Sequence, residues 1–529
     1  MPLPGSASPQ PSSSSSSSSP PSISAQSPSA YSRLERLFDR IGNLDGALSM
    51  LDWDQATMMP EGGAAARAGQ LSTLEVIRHE MLCSQEMADL LSLAEDDNQH
   101  LDEWQTANLV RMRRAWRNAS ALPADLVEAL SKSASHCEVT WRSARARNDF
   151  AALAPELEGL LRLTREAASA RAAVMGCSPY DALLDQFDSG ASTESLDGLF
   201  GELEEFLPSF LPQVIEYQKS QPARIHPAGP FPIAAQRQVA LGLMEDLGFD
   251  FSHGRLDVSH HPFSGGTPDD ARITTRYSES EFIQGLMAVL HETGHASYEC
   301  GLPRTWRNQP VGRARGMIIH ESQSLIIEMQ ACRSRDFAHY LTPKLAAAFG
   351  ADPAWTPGNL QRLFQHVEAD LIRVHANEVT YPLHVLLRYR LERAMISGDL
   401  AIKDLPGAWN DGMDKLLGVT PPTDADGCMQ DVHWAAGLFG YFPTYTLGAL
   451  AAAQFYAAAM QALPELRQSL SKGDFRPLMG WLRENVHQWG CRFSGDELLR
   501  RATNAPLGTA AFKAHLKARY LPDQNGMNP

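Results

Sequence analysis

Apolar residues recur at helical spacing along most of this chain, and this pattern restricts the possible fold more than any other feature. In the segment that begins at Ser32, one helical face carries Leu34, Leu37, Phe38 and Ile41. Residues 150–176 and 196–220 show the same periodicity. Strand-like alternation is scarce, and the clearest candidate is ARITTRY at 271–277, which is rich in β-branched residues. The sequence therefore predicts a mainly α fold with a small β-sheet at most.

The chain divides by composition into one long domain and two short tails. No linker-like stretch interrupts residues 32–524, so we expect a single large domain there. Residues 1–31 are rich in Ser and Pro, and they cannot bury enough apolar surface to offset the entropy lost on ordering. They predict a disordered tail, with organelle targeting as the alternative, since the segment is Ser-rich and acid-poor but lacks arginine. Residues 525–529 form a second short tail.

Charge and cysteine usage exclude several classes of protein. The formal net charge is −16, which argues against a nucleic-acid-binding protein. The seven cysteines are scattered without a CxxC pair, which indicates free thiols in a reducing compartment and favours a cytoplasmic protein.

One uncharged segment, residues 432–464, is long enough to span a bilayer. Glycine, proline and glutamine interrupt it, and no basic loop flanks it. We expect a buried loop and helix there, and no membrane contact.

The sequence HETGH at 291–295 carries the clearest chemical signal. Residues i and i+4 of a helix share one face, so His291 and His295 can bind the same metal ion. Glu292 lies beside them and can act on a water molecule, which completes the HExxH arrangement of zinc hydrolases. An apolar stripe before the motif, including Leu286 and Leu290, predicts that it lies on a helix anchored in the core.

A catalytic zinc needs a third protein ligand and an open position. Candidates are His320, Glu299, Glu321 and Glu328. Glu299 lies four residues beyond His295 on the same helix and would overshoot the ion. The segment GMIIHESQSLIIEMQ predicts a second helix, and we favour Glu321 near its start, with Glu328 as the alternative.

Five short motifs follow one another along the chain: HPF at 261–263, DxRxT with Asp270, Arg272 and Thr274, HExxH at 291–295, HESQ at 320–323 and GxxQDxHW at 427–434. In these motifs the chain resembles the carboxypeptidase Taq family of metallocarboxypeptidases. They stand in the family's order, and LDWDQATMMPEGG, which begins at Leu51, resembles the family's opening. The resemblance therefore covers nearly everything after the N-terminal tail.

The chain departs from the family pattern at a few positions. After Ile372-Arg373, two positions where the family commonly has carboxylates carry His375 and Asn377. Leu325 follows Ser324, where the family often has arginine. These changes put charges around the site and subunit contacts in question, while zinc ligation should survive.

The resemblance implies removal of single residues from the free C-termini of peptides, with broad specificity. A bound zinc ion, or cobalt or another divalent metal, would activate a water molecule, and Glu292 would serve as general base and then general acid. Tyr441 is our candidate oxyanion donor, with Tyr445 in substrate binding; simple packing is the alternative for both.

The substrate's terminal carboxylate calls for a cationic side chain, and Arg373 is our first choice. Arg272 and His433 are further candidates, although Arg272 could instead brace a strand. We expect Asp270 to orient a ligand histidine, and His261 to shape a loop rather than bind metal.

The resemblance also implies two mostly helical lobes around a deep groove with zinc at its floor, a small β-sheet near the zinc helix, and a homodimer. Two other functions stay open. A related zinc oligopeptidase would cut internal bonds and lack the carboxylate receptor. A catalytically impaired homologue would only bind peptides.

Overall fold

The computed structural model describes residues 28–522. Most of the Ser-rich N-terminal tail and the whole predicted C-terminal tail lie outside the described residues. Within the described range the chain forms twenty α-helices, one π-helical segment and a three-stranded sheet, besides short 3₁₀ turns. The predicted mainly α fold with a small sheet is confirmed.

The helices form two groups along the sequence, one before the three strands and one after them. The first group is α1 (Ala30–Thr57), α2 (Ala64–Leu82), α3 (Gln85–Asp96), α4 (Glu103–Ser120), α5 (Ala124–Arg147), α6 (Phe150–Met175), α7 (Pro179–Phe187), α8 (Thr193–Lys219) and α9 (Ile233–Asp246). The second group is α10 (Ile283–Gly301), α11 (Gly316–Leu325), α12 (Arg335–Phe349), α13 (Pro357–Phe364), α14 (Tyr381–Ser397), α15 (Leu405–Leu417), α16 (Pro443–Ala462), α17 (Leu466–Ser471), α18 (Arg476–Asn485), α19 (Gly495–Thr503) and α20 (Ala510–Tyr520). The π-helical segment, Ile326–Cys332, continues directly from α11.

The sheet consists of β1 (Gly254–Val258), β2 (Phe263–Thr267) and β3 (Asp270–Thr275). Strand β3 is central, pairing in parallel with β1 and antiparallel with β2. The predicted strand at 271–277 is therefore confirmed as β3. The sheet lies against the start of α10, where the Thr275 hydroxyl donates a 3.2 Å hydrogen bond to the carbonyl of Gly285. This contact places the small sheet beside the helix that carries HETGH, as expected.

The helical periodicity of the sequence corresponds to two main hydrophobic cores. A smaller core joins α1, α3 and α4, and the predicted face of α1 buries Leu34, Phe38 and Ile41 in it. The larger core contains the sheet and most helices from α5 to α20. These separate cores divide an N-terminal helical part from the rest of the molecule.

The uncharged segment forms a buried loop and helix α16, as predicted. Leu450, Ala451 and Phe455 of this helix are fully buried in the larger core. Across residues 28–522, no helix has both the length and the apolar character needed to cross a membrane.

Candidate metal centre

Helix α10 presents both histidines of HETGH from one buried surface. Val289, Leu290 and Ala296 of this helix are completely buried and anchor it in the larger core. His291 and His295 lie one turn apart, with ring centroids separated by 4.9 Å. The core therefore fixes the backbone that carries the two imidazoles.

Glu321 on α11 completes a group of three possible ligands. Its Oε2 atom lies 3.4 Å from Nε2 of His295 and 3.8 Å from Nε2 of His291. In a tetrahedral zinc site with bonds of about 2.0–2.2 Å, neighbouring donor atoms lie about 3.3–3.6 Å apart. All three donor atoms lie within 4.8 Å of one another. The group thus fits a divalent cation, and it consists of the three predicted ligands.

The remaining nitrogen of each histidine is held by a protein partner. Nδ1 of His291 donates to Glu328 Oε2 over 3.0 Å. Nδ1 of His295 lies 2.7 Å from Nδ1 of His320, whose Nε2 lies 2.9 Å from Glu299. If Nε2 of His320 donates to that carboxylate, its Nδ1 accepts from His295. Both ligand histidines then keep an unprotonated Nε2 on the side of Glu321, where its lone pair is available to a metal ion shared with that carboxylate.

The other candidates for the third ligand are therefore hydrogen-bond partners behind the two histidines. Glu328, the alternative to Glu321, bonds to His291 and to Arg333 at 2.7 Å. His320 and Glu299 form the chain behind His295. Sequence spacing identified these residues as close to the metal but could not separate ligands from their hydrogen-bond partners.

Two glycines allow Glu321 to lie this close to its neighbours. A Cβ atom on Gly294, the glycine of HETGH, would lie 2.6 Å from the carbonyl oxygen of Gln323 in α11. A Cβ atom on Gly448 in α16 would lie 2.7 Å from the Glu321 side chain. Real Cβ atoms do not make contacts this short, so a larger residue at either glycine would force neighbouring atoms in this close-packed interior to move. Helices α10 and α16 therefore enclose α11 at the position of its ligand.

The π-helical segment carries Glu328 and is tied to the last helix. Arg519 on α20 donates to the carbonyls of Met329 and Gln330 and to Glu378. The Arg519 side chain thus supplies donors to two carbonyls of the π-helical segment, a rare type of helix that occurs most often at functional sites. The C-terminal helix thereby helps to hold the hydrogen-bond partner of His291.

Burial changes the protonation of the groups around the three ligands. Burial raises the pKa of Glu292 to about 7, and the nearby His291 opposes this rise. Burial lowers the pKa of His295 to about 4, with His320 acting in the same direction. A divalent cation at this position would lower the pKa of Glu292 again, because it favours the carboxylate.

A cluster of aromatic and cationic side chains lies next to Glu321. Tyr441, two residues before α16, and Tyr445, in its first turn, have ring centroids 5.2 Å apart. Burial, then the Glu321 carboxylate, raise the pKa of Tyr441 to about 12, so its hydroxyl stays protonated. Nε2 of His433 lies 3.2 Å from the Tyr445 hydroxyl, and the Arg373 guanidinium lies over the Tyr445 ring. Four of the predicted site residues are thus brought together.

Arg373 is buried and firmly held. Its Nε and Nη2 donate to Asp431 at 3.1 and 2.7 Å, and its Nη1 donates to the Tyr381 hydroxyl. The second oxygen of Asp431 accepts from Arg388, which is completely buried. Both arginines keep the pKa of Asp431 far below its usual range, although burial opposes them.

Arg272 and Asp270 lie on β3, and their contacts there agree with the alternative that Arg272 braces a strand. They form a two-pronged ion pair with each other at 2.6 Å, and Arg272 stacks over Trp53. The expectation that Asp270 orients a ligand histidine is wrong, because Glu328 and His320 are the partners of those rings. The carbonyl of His261 accepts from Ser259 and Thr274, which agrees with a loop-shaping role.

Comparison with known proteins agrees with this geometry. The family model described as carboxypeptidase Taq (M32) metallopeptidase matches residues 33–520. The chain belongs to this family. Thermostable carboxypeptidase 1 of Thermus thermophilus is 38% identical over 502 residues, covering 93% of this chain and 98% of the relative. Carboxypeptidase 1 of Bacillus subtilis is 32% identical over 491 residues, covering 92% and 96%.

Solved structures of the family share the fold closely. Trypanosoma cruzi metallocarboxypeptidase 1 superimposes with a TM-score of 0.92 at 40% identity, over 93% of this chain and 99% of that one. The Pyrococcus furiosus carboxypeptidase, in a structure titled Apo-Mg, gives a TM-score of 0.90 at 33% identity, over 94% and 99%. This M32 chain is therefore a metallocarboxypeptidase, which hydrolyses peptide bonds with a divalent metal.

The departures from the M32 pattern lie outside the metal group. His375 is exposed. The Asn377 side chain donates to the carbonyl of Glu368 and accepts from the backbone of Val379 and Thr380. An aspartate there could accept the same two backbone bonds, so Asn377 preserves the turn that follows Arg373.

Proposed function

We propose that this metallocarboxypeptidase releases single residues from the free C-terminus of peptides, with broad preference, using zinc held by His291, His295 and Glu321. The observation that carries the proposal is the convergence of three acceptor atoms, two Nε2 and one carboxylate oxygen. The other nitrogen of each imidazole has a protein partner. This donor set suits zinc, and cobalt would satisfy the same ligands.

The residues around the ion transfer the proton and stabilise the developing negative charge. When bound, the metal supplies an activated water and polarises the scissile carbonyl. Glu292, 8% exposed and next to His291, accepts a proton and then delivers it to the leaving amine. Tyr441 keeps its proton at neutral pH and donates a hydrogen bond to the negative charge that develops on the carbonyl oxygen.

Recognition of the terminal carboxylate is assigned to Arg373, His433 and Tyr445. Arg373 uses Nε and one hydrogen on each Nη in its bonds to Asp431 and Tyr381, so two of its five N–H groups remain. Within residues 28–522, Nδ1 of His433 is buried without a hydrogen-bond partner. Arg272 is the weakest candidate, because Asp270 already neutralises its charge.

The test compares one peptide with a free and with an amidated C-terminus, followed by mass spectrometry after addition of zinc or cobalt. A ladder of single C-terminal losses from the free peptide, with little change in the amide, is expected. Internal cleavage of both peptides would instead identify an oligopeptidase. Glu292→Gln should keep its metal and lose at least about 100-fold in kcat, the low end of general-base catalysis.

The wider organisation of the enzyme is part of the same proposal. We assign residues 32–524 to one catalytic domain that forms a homodimer in the cytoplasm. All seven cysteines are free thiols, which supports a reducing compartment. Light scattering coupled to gel filtration measures the mass; a monomer would contradict the dimer without affecting the catalytic proposal.

A further inference from the structure

A second polar site lies away from the metal centre. A cavity of about 1270 Å³ opens between the end of α8, the connection at 221–224, and parts of α12, α13, α16 and α20. Its described walls include none of the residues assigned to the metal or to substrate. Six arginine and lysine side chains line it, with His515 and a single carboxylate, Asp336: Lys219, Arg224, Arg335, Arg362, Arg467 and Arg519. In a chain of net charge −16, this is a marked local reversal of sign.

Only part of this positive charge is neutralised by the protein. Arg467 pairs with Asp336, Arg519 with Glu378, and Lys219 with Glu216. Arg224, Arg335 and Arg362 have no carboxylate within ion-pair distance in the described part of the chain. Arg362 reaches only the Asn359 side chain, at 3.4 Å, and its Nε is buried without a partner. Three guanidinium groups therefore face the cavity without a matching carboxylate from residues 28–522.

Helix stability does not account for Arg335. It is the first residue of α12, where the positive end of the helix dipole favours anions and disfavours a cation. Arg362, in contrast, lies in the last turn of α13, where a cation suits the dipole. A bound anion near the start of α12 would match both Arg335 and the helix terminus.

We propose that this cavity binds a small anion that carries two or more phosphate groups. Guanidinium groups bind phosphate oxygens in pairs, and several of them converge here. The volume far exceeds that of one phosphate ion, so a larger polyanion fits best. Carboxylates are the other source of such oxygens: Pro522 lines the cavity, and the next residue is Asp523. The proposal is independent of the metal centre.

The test titrates fructose 1,6-bisphosphate, which carries two phosphates, into the full metal-loaded chain by calorimetry at about 0.15 M salt, where long-range attraction is screened. Fructose is the uncharged control. The double variant Arg335→Gln with Arg362→Gln should bind at least tenfold more weakly. The matched control, Arg36→Gln with Arg40→Gln on exposed positions of α1, removes the same charge and should change affinity less than twofold.

Several outcomes would overturn the proposal. Binding weaker than about 1 mM to the full chain, or equal loss in the two double variants, would show only general attraction. Binding that arises only when residues 523–529 are deleted would assign the cavity to the chain's own segment. Arg335→Gln alone changes an exposed side chain and provides a second variant should the double change unfold the protein; unchanged affinity in it would also count against the site.

Discussion

Two buried polar clusters meet at the active site, and they differ in how their hydrogen bonds are completed. In the metal cluster, Nε2 of His291, Nε2 of His295 and Oε2 of Glu321 converge as three acceptor atoms within 4.8 Å of one another. In the arginine cluster, both oxygens of Asp431 are matched by guanidinium donors from Arg373 and Arg388.

This difference indicates that the metal cluster is built to bind a ligand, whereas the bonds of Asp431 to its two arginines are structural. Converging acceptors are costly to bury unless a cation joins them. A carboxylate matched by two arginines is already satisfied, so it holds α14 and the 430–434 segment in place. Loss of a residue from the first cluster should affect metal binding, and loss of Asp431 from the second should affect stability.

Glu321→Gln should have the largest effect on activity. It removes the charged ligand, and loss of the cation removes its whole chemical contribution, so kcat/KM should fall at least about 10⁴-fold. Metal content after dialysis, measured by mass spectrometry, should fall with it, while the unfolding free energy of the metal-free protein changes little. Glu166→Gln, on an exposed position of α6, is the control. Full metal content in Glu321→Gln would refute the ligand assignment.

Asp431→Asn should have the opposite pattern. Two buried arginines would lose their common partner, which costs about 3–5 kcal/mol when one member of a buried pair is removed. Urea unfolding should show this loss, and Asp411→Asn, an exposed position on α15, should show almost none. If the variant keeps full stability but loses metal, the division between the clusters is wrong.

Glu328→Gln tests the connection behind the metal ligand. The amide can still accept from Nδ1 of His291, but the negative charge is lost, and such partners are worth about 10- to 100-fold in metal affinity. Competition with a chromogenic chelator measures the affinity. Unchanged affinity would show that Glu328 serves Arg333 alone.

Glu392 is a third kind of buried carboxyl group, intermediate between those of the metal cluster and the arginine cluster. This buried carboxyl accepts from Tyr180, Trp434 and the backbone of Gly440, all neutral donors. Burial raises its pKa to about 7, and its hydrogen bonds oppose the rise. Between pH 4.5 and 7 the folded protein retains a proton that the unfolded chain has lost, so stability falls as pH rises.

The expected size of that fall is about 1–2 kcal/mol between pH 5 and pH 7. Glu392→Gln should reduce the pH dependence of the unfolding free energy by this amount, measured by urea titration at both pH values. Parallel curves for the variant and the wild-type protein would contradict the raised pKa.

Much of the metal centre could be predicted from local sequence. Helical spacing placed His291 and His295 on one face, and the second periodic segment supplied Glu321. What spacing could not show was tertiary: α11 turns π-helical before Glu328, and this carries that carboxylate to the back of His291 rather than to the metal.

The contacts of the predicted arginines could be predicted from the sequence to different degrees. Asp270 and Arg272 are two residues apart on a strand, where side chains share a face, so their mutual ion pair was readable from the motif. The partners of Arg373 are not readable in this way, because Asp431 is distant in sequence and only the fold brings it near.

The close packing at Gly294 and Gly448 holds the backbone of α11 and the first carbons of the Glu321 side chain in place. Metal ions of different radius must therefore adapt to a fixed set of protein donors, mainly by gaining or losing water. Differences in turnover between zinc and cobalt would then report the coordination preferences of each ion rather than a rearrangement of the polypeptide.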